Sequence, residues 1–277
     1  MSGRIRDLED SVAAACRRLT ESGTSTPSEQ IPDGPDVVRA TIAAVRRRIG
    51  APALYGGAAC GPYVRWSMEG RILLLSRSTA GALDLAVWEP YDLAEVERAR
   101  FALNLRDIDF ARLPYTWQLH VRPPWPPPPQ LPAAPDWLTL EISLAALLRS
   151  SAVYAPQVLP PRGHFGFNIA TRSTGSGDRT GRTVGVAQSG PELTILVDDR
   201  AGPEPTPHDE MLRRGWDHPL AGWWGHDVLD PDETAHAAEL LIKEVRLEAR
   251  TPADLRLTDP SAEPGRLVMP GLAVTSA

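Results

Sequence analysis

Lysine is almost missing from this chain: Lys243 is the only one among 277 residues, and arginine carries the rest of the positive charge. Acids still exceed bases, so the formal net charge is -6 and the pI about 5.6. That balance gives no general attraction to nucleic acid, whose binders concentrate basic surface. The abundance of alanine, proline and arginine is the coding bias expected of a high-GC bacterial genome. Cysteine is scarce as well. Cys16 and Cys60 lie far apart, without metal-ligand spacing or a disulfide framework, and are expected to be reduced thiols. No run approaches the ~20 apolar residues of a membrane helix, and Arg4, Asp7, Glu9 and Asp10 interrupt any signal-like start. A cytoplasmic location with no membrane partner is therefore expected.

Catalytic signatures are also lacking. There is no GxSxG elbow, no HExxH, no P-loop lysine after Gly56-Gly57 or Gly175-Ser176-Gly177, and no GxGxxG opening a helix. Covalent catalysis, nucleotide binding and a bound cofactor are not expected, and no residue stands out as catalytic.

What is present is a regular succession of elements. Ile5, Leu8, Val12, Ala15 and Leu19 recur at helical spacing, and a polar link from Glu21 to Pro32 follows. Val38, Thr41, Ile42, Val45 and Ile49 mark a second helix, opened by Pro35-Asp36 and stopped at Gly50. Its Arg46-Arg47-Arg48 cluster fits a solvated helix end matching the dipole, with a binding patch as the other reading. Three strands follow in PYVRWSM, RILLLSR and ALDLAVW, then a helix with its acid cap at Asp92 and its end near Leu103, and a brief strand or turn between Leu113 and His120.

Proline then breaks the pattern. Residues 122–135 (PPWPPPPQLPAAP at their heart) suit neither helix nor central strand and read as a stiff, extended connector, with a ligand for an aromatic groove as the other possibility. Asp136 caps a helix bearing Trp137, Leu140, Leu144, Leu147 and Leu148. Strands HFGFNIAT, RTVGVAQS and ELTILVDD come next, around a Ser173–Gly181 loop and a Gly190-Pro191 turn. Thr206-Pro207-His208-Asp209 starts a short helix ending at Gly215, and a tryptophan-rich turn closes the run at Gly222-Trp223-Trp224-Gly225. A longer helix begins at Asp230, with Ala235, Ala238, Leu241, Ile242 and Val245 as its buried stripe and Glu239 paired with Lys243. Pro270 confines any strand in the tail to a sheet edge.

The expected architecture is α+β, in two tandem units of helix plus antiparallel sheet. Residues 1–34 form an N-terminal helix and polar linker, 35–121 the first unit, 122–135 the connector and 136–277 the second unit. RILLLSRS, Gly81 and the alternation Leu83, Leu85, Val87 line up with RTVGVAQS, Gly190 and Leu193, Ile195, Val197, which suggests duplication; any two α+β units offer some such coincidence.

Tryptophans are the candidate partner-binding residues: Trp216, Trp223 and Trp224 around the turn, Trp66 and Trp88 on strands of the first unit. Indoles give large contact area in protein recognition, although most tryptophans are core pillars. The other reading is a metal-dependent hydrolase built from the His/Asp-rich region 208–236, where Asp232 and His236 lie one helical turn apart. Its carboxylates at Asp230, Asp232 and Glu233 already have a role as helix-start groups, so no metal ligand is assigned.

ELTILVDD, the helix ending LRRGW, the GWW turn and the helix AAELLIKEVRLEARTPADLRL together resemble the actinobacterial relatives of type III secretion chaperones and YbjN-like proteins, the TY-chaperones. The resemblance covers roughly Leu138 to Leu257 and extends faintly over Val38 to Leu103. It implies a small antiparallel sheet flanked by helices, binding of a segment of another protein, and pairing as a dimer. One chain holding both units would be a monomeric pseudo-dimer, a homodimer being the other form. The connector and the N-terminal helix depart from a minimal chaperone of that kind.

Overall fold

A computed structural model describes residues 2–20, 28–31, 34–68, 70–78, 81–102, 110, 113–122, 128–172, 181–200 and 205–275. Within them the chain forms six α-helices and two antiparallel sheets, an α+β fold. Helix α1 (Ser2–Thr20) buries Val12, Ala15 and Leu19, and α2 (Pro35–Ile49) buries Val38, Thr41 and Val45, each along one face. Gly50 ends α2 at φ 94°, where its N–H still reaches the Arg46 carbonyl.

The first sheet contains β1 (Glu29–Ile31), β2 (Leu54–Gly57), β3 (Pro62–Met68), β4 (Arg71–Arg77), β5 (Leu83–Trp88), β6 (Trp117–His120) and β13 (Arg266–Val268). Their order is β1-β5-β4-β3-β2-β6-β13. Helix α3 (Pro90–Phe101) follows β5. The second sheet contains β7 (His164–Thr171), β8 (Thr183–Ser189), β9 (Glu192–Asp198), β10 (His218–Leu220), β11 (Trp223–Val228) and β12 (Leu255–Glu263), in the order β10-β11-β9-β8-β7-β12. Each sheet is built on a three-strand meander, β3-β4-β5 in one and β7-β8-β9 in the other. The segments that align in sequence occupy matching places in the two meanders.

Helix α4 (Trp137–Val158) joins the layers. The Asp136 carboxylate accepts from the Thr139 N–H at 2.8 Å, which fixes the helix start. Leu140, Leu144, Leu147 and Leu148 are fully buried, each contributing about 1.5–3 kcal/mol. One side of α4 meets β2, β3 and β6, and another meets β8, β9 and α6 (Thr234–Val245). The Trp117 indole on β6 donates to Ser150 on α4 at 3.1 Å and stacks 5.0 Å from Phe165 on β7, so the two sheets share one core. By length and composition α4 is long and apolar enough to cross a membrane, which corrects the expectation that no run came near. Here half of it is buried, against strands of both sheets and helix α6, while Leu138 and Ile142 stay exposed.

The last strand crosses the proline connector. β13 pairs with β6, and the Leu131 and Ala134 N–H groups donate to the Pro270 and Ala273 carbonyls at 3.0 and 2.9 Å. Residues 128–135 form neither helix nor strand and are strapped to the C-terminal segment.

Several local expectations are corrected. The polar link holds β1, which pairs with β5, and β12 was not foreseen. Helix α3 starts at Pro90, whose fixed φ suits a first turn, and no side chain caps it; Asp92 lies inside, and Leu103 falls outside the described residues. Helix α5 (His208–Arg214) begins one residue after Pro207 without the Thr206 hydroxyl cap; the Thr206 N–H donates instead to Asp199. Ala235 is exposed, and Ala237 and Leu240 take its place in the buried face of α6. Residues 123–127 of the connector and 173–180 of the expected loop fall outside the described residues.

Candidate functional site

Gly222-Trp223-Trp224-Gly225 is largely strand. The turn lies one step earlier, at Ala221 and Gly222, whose φ values of 47° and 92° resemble the tight primed turns that join antiparallel strands. Trp223 and Trp224 therefore obey the period-two alternation of β11. Trp224 pairs with Val197 and turns inward, where it is 6% exposed with the His208 ring at 5.1 Å. Trp223 pairs with Asp198 and turns outward, half-buried.

The other predicted tryptophans divide the same way. Trp216 is 1% exposed and donates its indole N–H to Glu244 at 3.1 Å, and Trp66 is 2% exposed on the core side of β3. Both, with Trp224, are core pillars, which corrects their assignment as contact residues: strand alternation turns Trp224 inward, β3 is buried on both faces at Trp66, and Trp216, between α5 and β10, bonds the buried Glu244. Trp88 is half-buried on β5 and packs against the core. Trp223 alone of the five belongs to an open sheet face.

That face is the outer side of the second sheet. On the inner side Phe165, Phe167, Ile169, Val184, Val186, Leu193, Ile195 and Val197 are buried beneath α4 and α6. The alternate residues point away, and Asn168, Ala170, Ala187, Thr194, Leu196 and Asp198 stay half-exposed. Small side chains keep the floor flat. A Cβ placed on Gly185 would meet Asn168 Oδ1 at 2.7 Å and Leu196 Cβ at 3.5 Å, and one on Gly225 would meet His218 Nε2 at 2.8 Å and Leu220 Cδ1 at 3.0 Å. Leu196, Leu220 and Trp223 thus gather at the β9-β11-β10 end, with Leu220 paired to Trp223 across the hairpin. Arg200 grips Asp198 at 2.8 and 3.0 Å and lays its guanidinium 5.6 Å from the Trp223 ring centre. Burial would raise the Asp198 carboxyl, but the hydrogen bonds and charge of Arg200 hold it below its usual value. Six strands at ~4.8 Å spacing and about six residues each give a face of roughly 500 Å². A standard interface takes about 800 Å² per partner, so the face suits one helix or an extended segment.

The acidic and histidine residues of 208–236 are scattered. Glu210 binds Arg213 and Arg214; Asp230 and Glu233 close a capping box; Asp232 binds Arg149 at 2.8 Å; Asp227 accepts from the Thr194 hydroxyl at 2.7 Å on the outer face. His236 faces Glu239 at 3.7 Å, so Asp232 and His236 take different partners. His226 Nδ1 lies 2.8 Å from Asp217 Oδ2 but out of line for a hydrogen bond, and its ring centre is 6.1 Å from that of His236. Among the described residues no three His, Cys, Asp or Glu side chains are placed to hold a metal ion. The ligand convergence that the hydrolase reading requires is not found there.

Two buried polar clusters were missed in sequence. Glu97 on α3 accepts from Tyr63 and Arg65 of β3, and from Tyr115 at 3.2 Å; all four side chains are buried. Desolvation, the largest influence, together with the neighbouring Glu97 carboxylate, pushes both phenols well above their usual range, so they remain donors. In the second cluster buried Glu244 on α6 takes Arg182 and the Trp216 indole. The available signal was spacing: Glu97 falls on the helix face of Leu93 and Phe101, and Glu244 on that of Leu240 and Leu241. Both clusters are packed shut and fasten a helix to its surroundings.

No family model, no curated protein and no solved structure matches this chain.

Proposed function

We propose that this protein is a non-catalytic binding module, chaperone-like or of the immunity type, that holds a segment of another polypeptide against the outer face of its second sheet. The observation that carries this reading is the open, flat face with Leu196, Leu220 and Trp223 gathered at one end. Apolar side chains grouped around a half-exposed indole supply contact energy, and the polar floor of Asn168, Thr194 and Asp198 supplies orientation. The net charge of -6 favours a protein partner over a nucleic acid, and a cytoplasmic setting suits free thiols at Cys16 and Cys60. The matching meanders support descent of the two halves from one unit, and with it the monomeric pseudo-dimer that the TY-chaperone resemblance implies.

The test uses an array of overlapping peptides from the proteins encoded beside this gene, read by Trp fluorescence and anisotropy. The proposal expects a discrete set of peptides to bind, and Trp223→Ala with Leu220→Ser to remove that binding while the fold persists. Binding that is unchanged in the folded double variant counts against it.

A further inference from the structure

Where the two halves meet, the Arg46-Arg47-Arg48 cluster splits. Arg47 and Arg48 turn toward α1 and bind Glu9 at 2.5 and 2.8 Å. Arg46 lies one helical step away and lines a cavity of about 400 Å³ instead. On the α2 side Arg39, Ile42, Ala43 and Arg46 form one stripe at helical spacing. The opposite wall is the end of α4 and the turn after it, from Ala155 to Arg162, and Tyr55 of β2 also lines the space.

The walls are predominantly apolar and the charge is of one sign. Arg39 is held by the Pro156 carbonyl at 3.2 and 3.3 Å, with Asp36 3.8 Å away in open solvent. Among the described residues the Arg46 and Arg162 guanidiniums have no hydrogen-bond or ion-pair partner, and no acidic side chain lines the cavity. Arg162 is set at the rim by a Pro160-Pro161 turn, in which it takes φ 68° and the Gly163 N–H returns to the Pro160 carbonyl at 2.8 Å. An apolar hollow with a few convergent polar groups is the usual form of a small-molecule site, and 400 Å³ lies within the usual range for one.

We infer that this cleft binds a small amphipathic anion, an apolar body in the hollow with one oxyanion head between Arg46 and Arg162. A guanidinium pairs with a carboxylate or phosphate through two parallel hydrogen bonds, whereas an ammonium head would face like charge. This site is separate from the outer face of the second sheet, and either can fail without the other.

Calorimetric titration of the full chain with decanoate, decyl phosphate, decanol and decyltrimethylammonium, below their micellar concentrations, tests the inference. Decanoate or decyl phosphate is expected to bind at one site per chain, with decanol about tenfold or more weaker, the loss of a charge-assisted hydrogen bond. The affinity order of the two anions identifies the head group. Arg46→Gln with Arg162→Gln, both surface changes, is expected to bring the anion down to the level of decanol, and Ala43→Phe to block all ligands. No binding of either anion overturns the inference, as does equal binding of anion, alcohol and ammonium, or anion binding that the double variant leaves unchanged. Binding only of a glutamate-rich peptide, with neither small anion bound, also overturns it and makes the cleft a peptide site.

Discussion

Trp223 and Trp224 are neighbours in sequence and lie on opposite faces of one strand, Trp224 against the core and Trp223 on the open side. Removing either indole should therefore have a different effect. Trp224→Ala is expected to cost about 3–5 kcal/mol, as large aromatic truncations in a core do, and Trp216→Ala a similar amount. Trp223→Ala should cost about 1 kcal/mol or less, within the range of half-exposed positions. Urea unfolding followed by far-UV circular dichroism separates the three.

Glu97 is the shared acceptor for Arg65, Tyr63 and Tyr115, so losing it strands a buried cation. Glu97→Ala is expected to destabilise by about 3–5 kcal/mol. Arg65→Met combined with Glu97→Gln should cost less than the sum of its single changes, because neither charge then remains buried alone. A double-mutant cycle in urea measures the coupling.

His120 on β6 is 4% exposed, its Nε2 paired with Gln118 Oε1 at 2.9 Å. Burial first, then the charges of Arg65 and Arg266, depress it from 6.5 to about 4, so the folded protein holds it neutral. The unfolded chain takes up a proton near pH 6.5 that the folded chain refuses until about 4. Stability from this residue is thus fully present above 6.5 and is lost as pH falls through that window. The loss is on the order of 3 kcal/mol. His120→Gln should flatten this part of the stability-versus-pH curve; an unchanged slope between pH 6.5 and 4 contradicts the assignment.

Ala221 holds a positive φ of 47° at the tip of the β10-β11 hairpin, a conformation that Asn and Gly tolerate better. Ala221→Asn, which creates Asn-Gly in the turn, is expected to stabilise by about 0.5–1 kcal/mol, read as an upward shift in thermal midpoint.

Much of this fold was legible because local chemistry agreed with tertiary structure. Short β-rich runs marked β3, β4, β7 and β8, alternation marked β5 and β9, Asp136 announced α4, and Gly50 and Gly215 closed α2 and α5. What failed depended on distant partners. β1 and β12 are strands through pairing with β5 and β7, and the Pro-rich connector is fastened by Pro270 and Ala273, far along the chain. The tryptophans were legible as a cluster and misread as a turn: two glycines flank the pair, but only the Ala221-Gly222 step turns, so strand alternation decides which indole stays outside. Arg46 could not be told from Arg47 and Arg48 because nothing local reveals that Glu9 lies beside only two of them.

The central claim, that the outer face of the second sheet holds a polypeptide, is tested most directly by placing the photo-crosslinker benzoylphenylalanine at Ala187 on that face and, as control, at exposed Ala99 on α3. Irradiation in the native cell should give one discrete protein adduct from position 187, none from position 99, and none from 187 when Trp223→Ala and Leu220→Ser are added. No adduct from 187, or adducts that form equally from both positions and survive those changes, contradicts it.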